Sequence, residues 1–311
     1  MKAVSQDVLG GPDVLHTIDL PRPVPGPTEV LVRVHAAGLN PTDWKHRATG
    51  GLLGEPPFVL GWDVSGVVEE AGAGSVIYKP GDEVFGMLRY PFGHGSFAEY
   101  VTAPARTFAP KPAVLDHVQA AGVPLAGLTA WQALVDVARV RDGGEVLVHA
   151  AAGGVGHLAV QIAKARGAYV YGTASAAKHD FLRHLGVDEV IDYRSTDFTT
   201  VCDGLDAVVD TIGGDYGPRS LTVLRPGGVL VSLVRTLEAA GLREQAAALG
   251  VRVESMLAEP DLSALKSLAA LIEAGRLRVA VAAVFPLDEL GKAMELGESG
   301  RTTGKIVLTV P

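Results

Sequence analysis

Ala151, Gly153 and Gly156 are spaced as a ligand-cradling turn. They follow a short apolar run, Val146-Leu147-Val148, and precede a helical pattern of Leu158, Ala159, Ile162 and Ala163. A strand, a glycine turn and a helix in that order let pyrophosphate sit against the helix N-terminus, because small residues permit a tight turn and close backbone approach. Gly154 and Val155 complete the turn, and Ala151 stands where the usual fingerprint has its first glycine. A further apolar run at 168–173 closes a βαβ unit of the expected length, a context that separates this motif from an ordinary glycine-rich loop.

The residues after that second strand select the dinucleotide. Nucleotide sites that prefer NAD place an Asp or Glu there to bind the ribose 2′-OH. Here the chain reads Ala174-Ser175-Ala176-Ala177-Lys178, with no carboxylate. A small hydroxyl and a cation three residues on suit a 2′-phosphate, which brings negative charge and acceptor oxygens. The cofactor read from this segment is NADPH. Lys178 as a solvated lysine at a helix start, and Arg194 as an exposed structural arginine, are the plainer alternatives.

These residues need a scaffold, and the hydrophobic pattern supplies one. The first third is rich in Pro, Gly and β-branched residues, with strands expected at 30–35 and 64–69 and an extended connector at 21–27. Repeated turns between short apolar runs suggest an antiparallel, barrel-like lobe. A helical pattern covers 113–139, where Val118, Ala121, Leu125, Trp131, Leu134 and Val135 share a face. Strands then alternate with helices, at 145–149, 168–173, 189–192, 207–210, 229–233 and 252–256, which implies a parallel, doubly wound α/β sheet of Rossmann type. An amphipathic helix at 262–274, strands at 279–285 and 305–310 and a helix at 287–296 form a tail expected to return to the first lobe. The domains expected are 1–119 with 256–311, and 120–255.

Composition narrows the class. With 311 residues, 48% apolar and 20% charged, the chain resembles a well-buried globular enzyme of about two domains. A formal net charge of −8 argues against a general nucleic-acid binder, whose phosphate contacts need clustered Lys and Arg. No stretch approaches a membrane span, and the N-terminal residues lack the basic and apolar regions of a signal peptide. The single cysteine, Cys202, excludes an intramolecular disulfide and a cysteine-rich zinc site, and it fits a reducing cytoplasm.

Several blocks in order carry a family resemblance: Ala37-Gly38-Leu39-Asn40-Pro41-Thr42-Asp43, Gly61-Trp62-Asp63-Val64-Ser65-Gly66-Val67, Lys79-Pro80-Gly81-Asp82-Glu83-Val84, Leu128-Thr129-Ala130-Trp131, the Ala151–Gly156 turn, Arg225-Pro226-Gly227-Gly228 and Thr303-Gly304-Lys305-Ile306-Val307. Over nearly the whole chain the sequence resembles the medium-chain dehydrogenase/reductase superfamily, nearest its zinc-independent NADPH quinone oxidoreductase and alkenal reductase branch. The resemblance implies a Rossmann domain with a GroES-like, mainly antiparallel β-barrel catalytic domain, and a homodimer. Where the zinc alcohol dehydrogenases carry a cysteine ligand this chain has Asn40, and where they carry a histidine ligand it has Trp62. The nine histidines are scattered without paired ligand spacing, so no metal is expected.

The resemblance also implies roles. Ser175, Lys178 and Tyr193 match residues that contact the 2′-phosphate, and Thr129 matches a threonine near the nicotinamide. Asn40 and Asp43 lie where the family builds the floor of the reacting site, although each also suits a turn or helix cap. Lys45 occupies a position where many quinone oxidoreductases have tyrosine. Without a metal, a donor must stabilise the oxyanion formed during hydride transfer, and Lys45 is the candidate, against the plain reading of a surface lysine. Trp44, Trp62, Tyr90 and Phe92 are candidate walls for a flat acceptor, and Gly93 and Gly95 around His94 suggest a mobile segment. The function implied is NADPH-dependent reduction of quinones or α,β-unsaturated carbonyls. The alternatives are an enoyl reductase for thioester-bound or polyketide-like substrates and an NADPH-binding protein with little turnover.

Overall fold

The computed structural model describes residues 1–91, 95–234 and 241–311. Phe92, Gly93 and His94 lie outside the described residues. The chain opens with strands β1 (Lys2–Gln6), β2 (His16–Asp19) and the long β3 (Glu29–Leu39). Val30, Val32 and Val34 give β3 its stiff, strand-favouring backbone, and all three are buried. Helix α1 (Pro41–Thr49) follows at once, started by Pro41 at its first position and stopped by Gly50 with φ of 73°. Then come β4 (Phe58–Val59), β5 (Asp63–Ala71), β6 (Glu83–Met87), β7 (Tyr100–Pro104) and β8 (Phe108–Pro110). The helical pattern expected over 113–139 is divided into α2 (His117–Ala121), α3 (Pro124–Trp131) and π-helical turns over Gln132–Val137. Gly122 and Pro124 explain the break, since neither favours continuing a helix.

Strands and helices then alternate: β9 (Glu145–Val148), α4 (Gly156–Ala165), β10 (Tyr169–Ala174), α5 (His179–His184), β11 (Glu189–Asp192), β12 (Leu205–Asp210), α6 (Tyr216–Leu221), β13 (Leu224–Ser232), α7 (Leu242–Leu249) and β14 (Arg252–Ser255). The six strands form one sheet in the order β11-β10-β9-β12-β13-β14, with every neighbouring pair parallel. The chain moves outward from β9 in one direction and then, through β12, in the other. The carboxyl end of β9 is therefore a topological switch point, where open α/β sheets bind ligands.

The tail contributes α8 (Leu262–Glu273), β15 (Val281–Pro286), α9 (Leu290–Glu298) and β16 (Lys305–Thr309). Asp261 caps α8 by accepting the N–H groups of Ser263 and Ala264. Strand β16 lies between β15 and β3, in a sheet ordered β15-β16-β3-β5-β6-β8 with β7 also on β3. Only the β15–β16 pairing is parallel in that sheet. The antiparallel register sets Ile306 opposite Leu39, which carries Lys305 to the level of Asn40.

Two compact units result: residues 1–128, 259–275 and 279–311, and residues 129–258 with 276–278. The division falls after Leu128 instead of residue 119, because the Leu125 N–H donates to Asp63 of β5 and α2 packs on β3 and β5. Residues 276–278 go with the second unit because Gln161 binds both the N–H and the carbonyl of Arg278. Each unit has its own apolar core, one around Val32, Trp62, Phe97 and Leu308 and the other around Leu147, Val208, Leu230 and Val253.

Gly38 shows how tightly α2 meets β3. A Cβ there would sit 2.3 Å from the carbonyl oxygen of Ala121 and 2.6 Å from Asp63 Oδ2. Gly38→Ala is expected to lower unfolding stability by about 1–3 kcal/mol in urea titration. An unshifted midpoint would show that this contact relaxes freely.

Candidate functional site

In the second unit, the site begins beneath the glycine turn. His149 follows β9 and is fully buried, its ring edge-on to Phe198 and Tyr216 at 4.7 and 4.8 Å. Its Nδ1 lies 3.2 Å from Thr173 Oγ1 and its Nε2 lies 3.0 Å from Ser220 Oγ. Burial, reinforced by the Arg219 charge, pushes its pKa down to about 3, so the ring is neutral at ordinary pH. Thr173 Oγ1 in turn accepts the N–H of Ala150, and Thr173 O accepts that of Ala151. Ala150 is held at φ of 46°, a left-handed conformation that alanine adopts only when its surroundings impose it.

The turn itself fits a phosphate. No side chain caps α4, which starts at Gly156 after Val155. A Cβ on Gly156 would come within 2.4 Å of Ala150 O and 2.7 Å of Ala151 Cα, so only glycine lets the helix start pack on the turn. Gly153, Gly154 and Val155 are half-buried, whereas Ala151 is buried. At the end of β10, Ser175 and Lys178 are half-buried and Tyr193 is exposed. Burial lowers the Lys178 pKa, against a smaller upward pull from Tyr193. A desolvated ammonium of this kind gains from an anionic partner. Asp192 lies level with Ala174 on the next strand, and its Oδ1 accepts the Arg194 N–H at 3.1 Å. Thr129 is buried in α3.

In the first unit, Asn40, Asp43, Asp63 and Lys305 form a buried polar network. Asp43 Oδ2 accepts the Asn40 N–H at 2.6 Å, which caps α1 from its third residue. The Asn40 carboxamide is thereby free for other work. Its Nδ2 donates to Asp63 Oδ2 at 2.9 Å, and its Oδ1 accepts from Lys305 Nζ. Lys305 Nζ also lies 3.3 Å from Asp63 Oδ2, and Asp63 Oδ1 takes the Leu125 N–H at 2.6 Å. Burial raises the carboxyl pKa of both Asp43 and Asp63, with Lys305 opposing that shift at each. Beside the network, Tyr90 meets Trp62 edge-on at 5.0 Å and His46 at 5.9 Å.

Two family descriptions match parts of the chain. Residues 26–113 match the alcohol dehydrogenase GroES-like domain, and residues 185–308 match a family described as zinc-binding dehydrogenase. A 2-haloacrylate reductase from a Burkholderia species is 35% identical over 322 residues, covering 96% of each chain. The chain belongs to the medium-chain dehydrogenase/reductase superfamily. Among solved structures, the quinone oxidoreductase of Coxiella burnetii is 39% identical with a TM-score of 0.93, covering 100% of this chain and 99% of that one. The Escherichia coli quinone oxidoreductase in complex with NADPH is 28% identical with a TM-score of 0.87, covering 99% of this chain and all of that one.

Several expected site residues of this superfamily member are buried or engaged in packing. Asn40 is 2% exposed and Asp43 is fully buried, and both hold other groups in place. Trp62 is a core residue at 3% exposure. Trp44 packs α1 on α9, where a Cβ on Gly297 would lie 2.7 Å from its ring. Lys45 is exposed on α1, and no side-chain bond among the described residues fixes its ammonium. Tyr90 remains half-buried, and Phe92 lies outside the described residues. Sequence reasoning missed Lys305, Asp63 and His149 as functional supports. Lys305 and Asp63 were visible as members of two of the blocks that carry the family resemblance, but only strand register shows that they meet. Among the described residues, no group of three or more His, Cys, Asp or Glu side chains converges as a metal site. No helix among them is long and apolar enough to cross a membrane.

His149 gives a pH prediction. Its folded pKa of about 3 lies below the unfolded value of 6.5, so the unfolded chain binds the extra proton. Its contribution is fully present above pH 6.5 and is lost as pH falls toward 3. Urea unfolding at pH 7 and pH 4.5 is expected to show a smaller pH-dependent loss in His149→Gln than in the wild type. Equal losses would remove His149 from the linkage.

Proposed function

We propose that this protein is a zinc-independent, NADPH-dependent reductase of quinones or α,β-unsaturated carbonyls. The observation that carries the reading is the end of β10, where no carboxylate awaits a ribose 2′-OH and a partly desolvated Lys178 stands behind Ser175. The 2-haloacrylate reductase and the NADPH-bound quinone oxidoreductase described above support both acceptor class and cofactor. When bound, NADPH supplies a hydride. The residues 151–156 and the uncapped start of α4 would receive its pyrophosphate, while Ser175, Lys178 and Tyr193 would hold the 2′-phosphate and Thr129 the region of the nicotinamide.

Zinc-independence rests on the residues present. Asn40 already spends its carboxamide on Asp63 and Lys305, and the Trp62 indole offers no lone pair to a metal. Stabilising the developing oxyanion therefore falls to protein donors, which act best when preorganised and shielded from water. Lys45 meets neither condition and is left out of the proposed machinery. A homodimer belongs to the same reading, for which β14 offers an edge strand of the parallel sheet; so does a cytoplasmic location.

Incubation with NADPH and either 9,10-phenanthrenequinone or trans-2-hexenal, followed at 340 nm, tests the activity. Tight cofactor binding without consumption across both acceptors would overturn it. Lys178→Ala is expected to raise KM for NADPH about tenfold or more, the worth of one charge-assisted hydrogen bond, and to leave KM for NADH unchanged. Lys45→Ala is expected to keep kcat within about twofold, since an unfixed surface ammonium is not preorganised. A large drop would return Lys45 to the mechanism.

A further inference from the structure

Ala150 owes its left-handed φ of 46° to its neighbours, since only glycine adopts that conformation without strain. Three hydrogen bonds hold it there. Its N–H donates to Thr173 Oγ1 at 3.1 Å, its carbonyl accepts the Gly153 N–H at 2.8 Å, and the next N–H, of Ala151, donates to Thr173 O at 2.9 Å. Two of the three therefore come from one buried residue, Thr173. A threonine hydroxyl is a rotor, and it accepts in a fixed direction only when its other side is engaged. His149 engages it, with Nδ1 3.2 Å from Thr173 Oγ1 and Nε2 3.0 Å from Ser220 Oγ on α6. The histidine is itself anchored. Its N–H donates to Val209 O at 3.0 Å, its carbonyl accepts from Thr211 Oγ1 at 3.1 Å, and the Phe198 and Tyr216 rings meet its ring at 70° and 82°. All of these residues belong to the second unit.

We propose that Ser220, His149 and Thr173 form a relay of positioning residues that holds Ala150 left-handed and so keeps the turn at 151–156 shaped for the pyrophosphate of the dinucleotide. This rests on the NADPH reading above. Without the Thr173 hydroxyl, the Ala150 N–H loses its acceptor and the alanine relaxes toward negative φ, which carries its carbonyl away from the Gly153 N–H. A turn that must first be ordered binds more weakly, by the fraction of time it spends in the competent shape. The pyrophosphate is common to NADPH and NADH, so the relay governs affinity for both alike, whereas Lys178 bears on the 2′-phosphate alone. Glycine at position 150 would hold the left-handed conformation unaided and make the relay dispensable.

The test is a binding cycle read by isothermal titration calorimetry. Thr173→Val removes the hydroxyl at nearly constant volume and is expected to weaken NADPH and NADH about tenfold each. Adenosine 2′-monophosphate, which carries the 2′-phosphate and no pyrophosphate, is expected to bind as it does to wild type. Thr173→Ser is expected to restore both dinucleotides, because only the hydroxyl is needed. In the Ala150→Gly background, Thr173→Val is expected to cost no more than about twofold. A general loss of packing would instead weaken all three ligands and persist in that background. Wild-type NADPH affinity in Thr173→Val overturns the proposal, and so does a loss undiminished by Ala150→Gly. If Thr173→Val fails to fold, His149→Phe, which keeps an aromatic ring and removes both nitrogens, takes its place in the same cycle with the same deciding outcomes. A wild-type protein that does not bind NADPH removes the cofactor reading itself, and the relay with it; a wild type that binds NADPH and is matched by Thr173→Val removes the relay alone.

Discussion

A buried ammonium joins residues 265 positions apart in this chain. Lys305 on the last strand reaches Asn40 before the first helix and Asp63 at the head of β5. Taking such charges out of water is expensive, and their attraction repays the cost only when the geometry satisfies each remaining lone pair. Here Asp63 receives Asn40, Lys305 and the Leu125 N–H together. The network fixes where β16 pairs with β3, where α1 begins and where α3 starts. Removing one partner of such a group leaves a buried charge uncompensated, typically at about 3–5 kcal/mol.

That constraint sets the direction of α1, and α1 carries the residues beside Tyr90. Asp43 caps the helix from within, which frees the Asn40 side chain for Asp63 and Lys305. On the same helix, Thr42 and His46, one turn apart, share the face that meets the Tyr90 hydroxyl and ring. Charge is buried there where it serves position, while Thr42, His46 and Tyr90 are joined by hydrogen bonds alone. In the second unit a neutral group does the comparable work. Buried His149, bonded to Thr173 and Ser220, supports the strained Ala150 beneath the glycine turn.

Much of the fold was legible before any coordinates. Short apolar runs and glycine punctuation located the strands of the parallel sheet to within a few residues, since a fully buried strand reads as an apolar run between turn residues. The pattern over 113–139 was harder, because the shared apolar face continues through the break at Gly122 and Pro124. The phosphate turn was legible because it is local, with every residue within one βαβ unit. For Trp44 and Trp62 the sequence left packing open, since an aromatic in the core and one lining a pocket look identical in sequence; the structure packs both into the first unit's core.

The sequence by itself determined the doubly wound sheet, the glycine turn at its switch point and the missing acid after β10. These follow from short-range periodicity and spacing, which the chain displays without folding. Only the tertiary structure decided that Lys305 is the buried ammonium and Lys45 the exposed one, and that Thr42 turns its proton toward Tyr90. Those facts depend on register between distant strands and on which neighbour occupies each lone pair, and neither is encoded within any one segment.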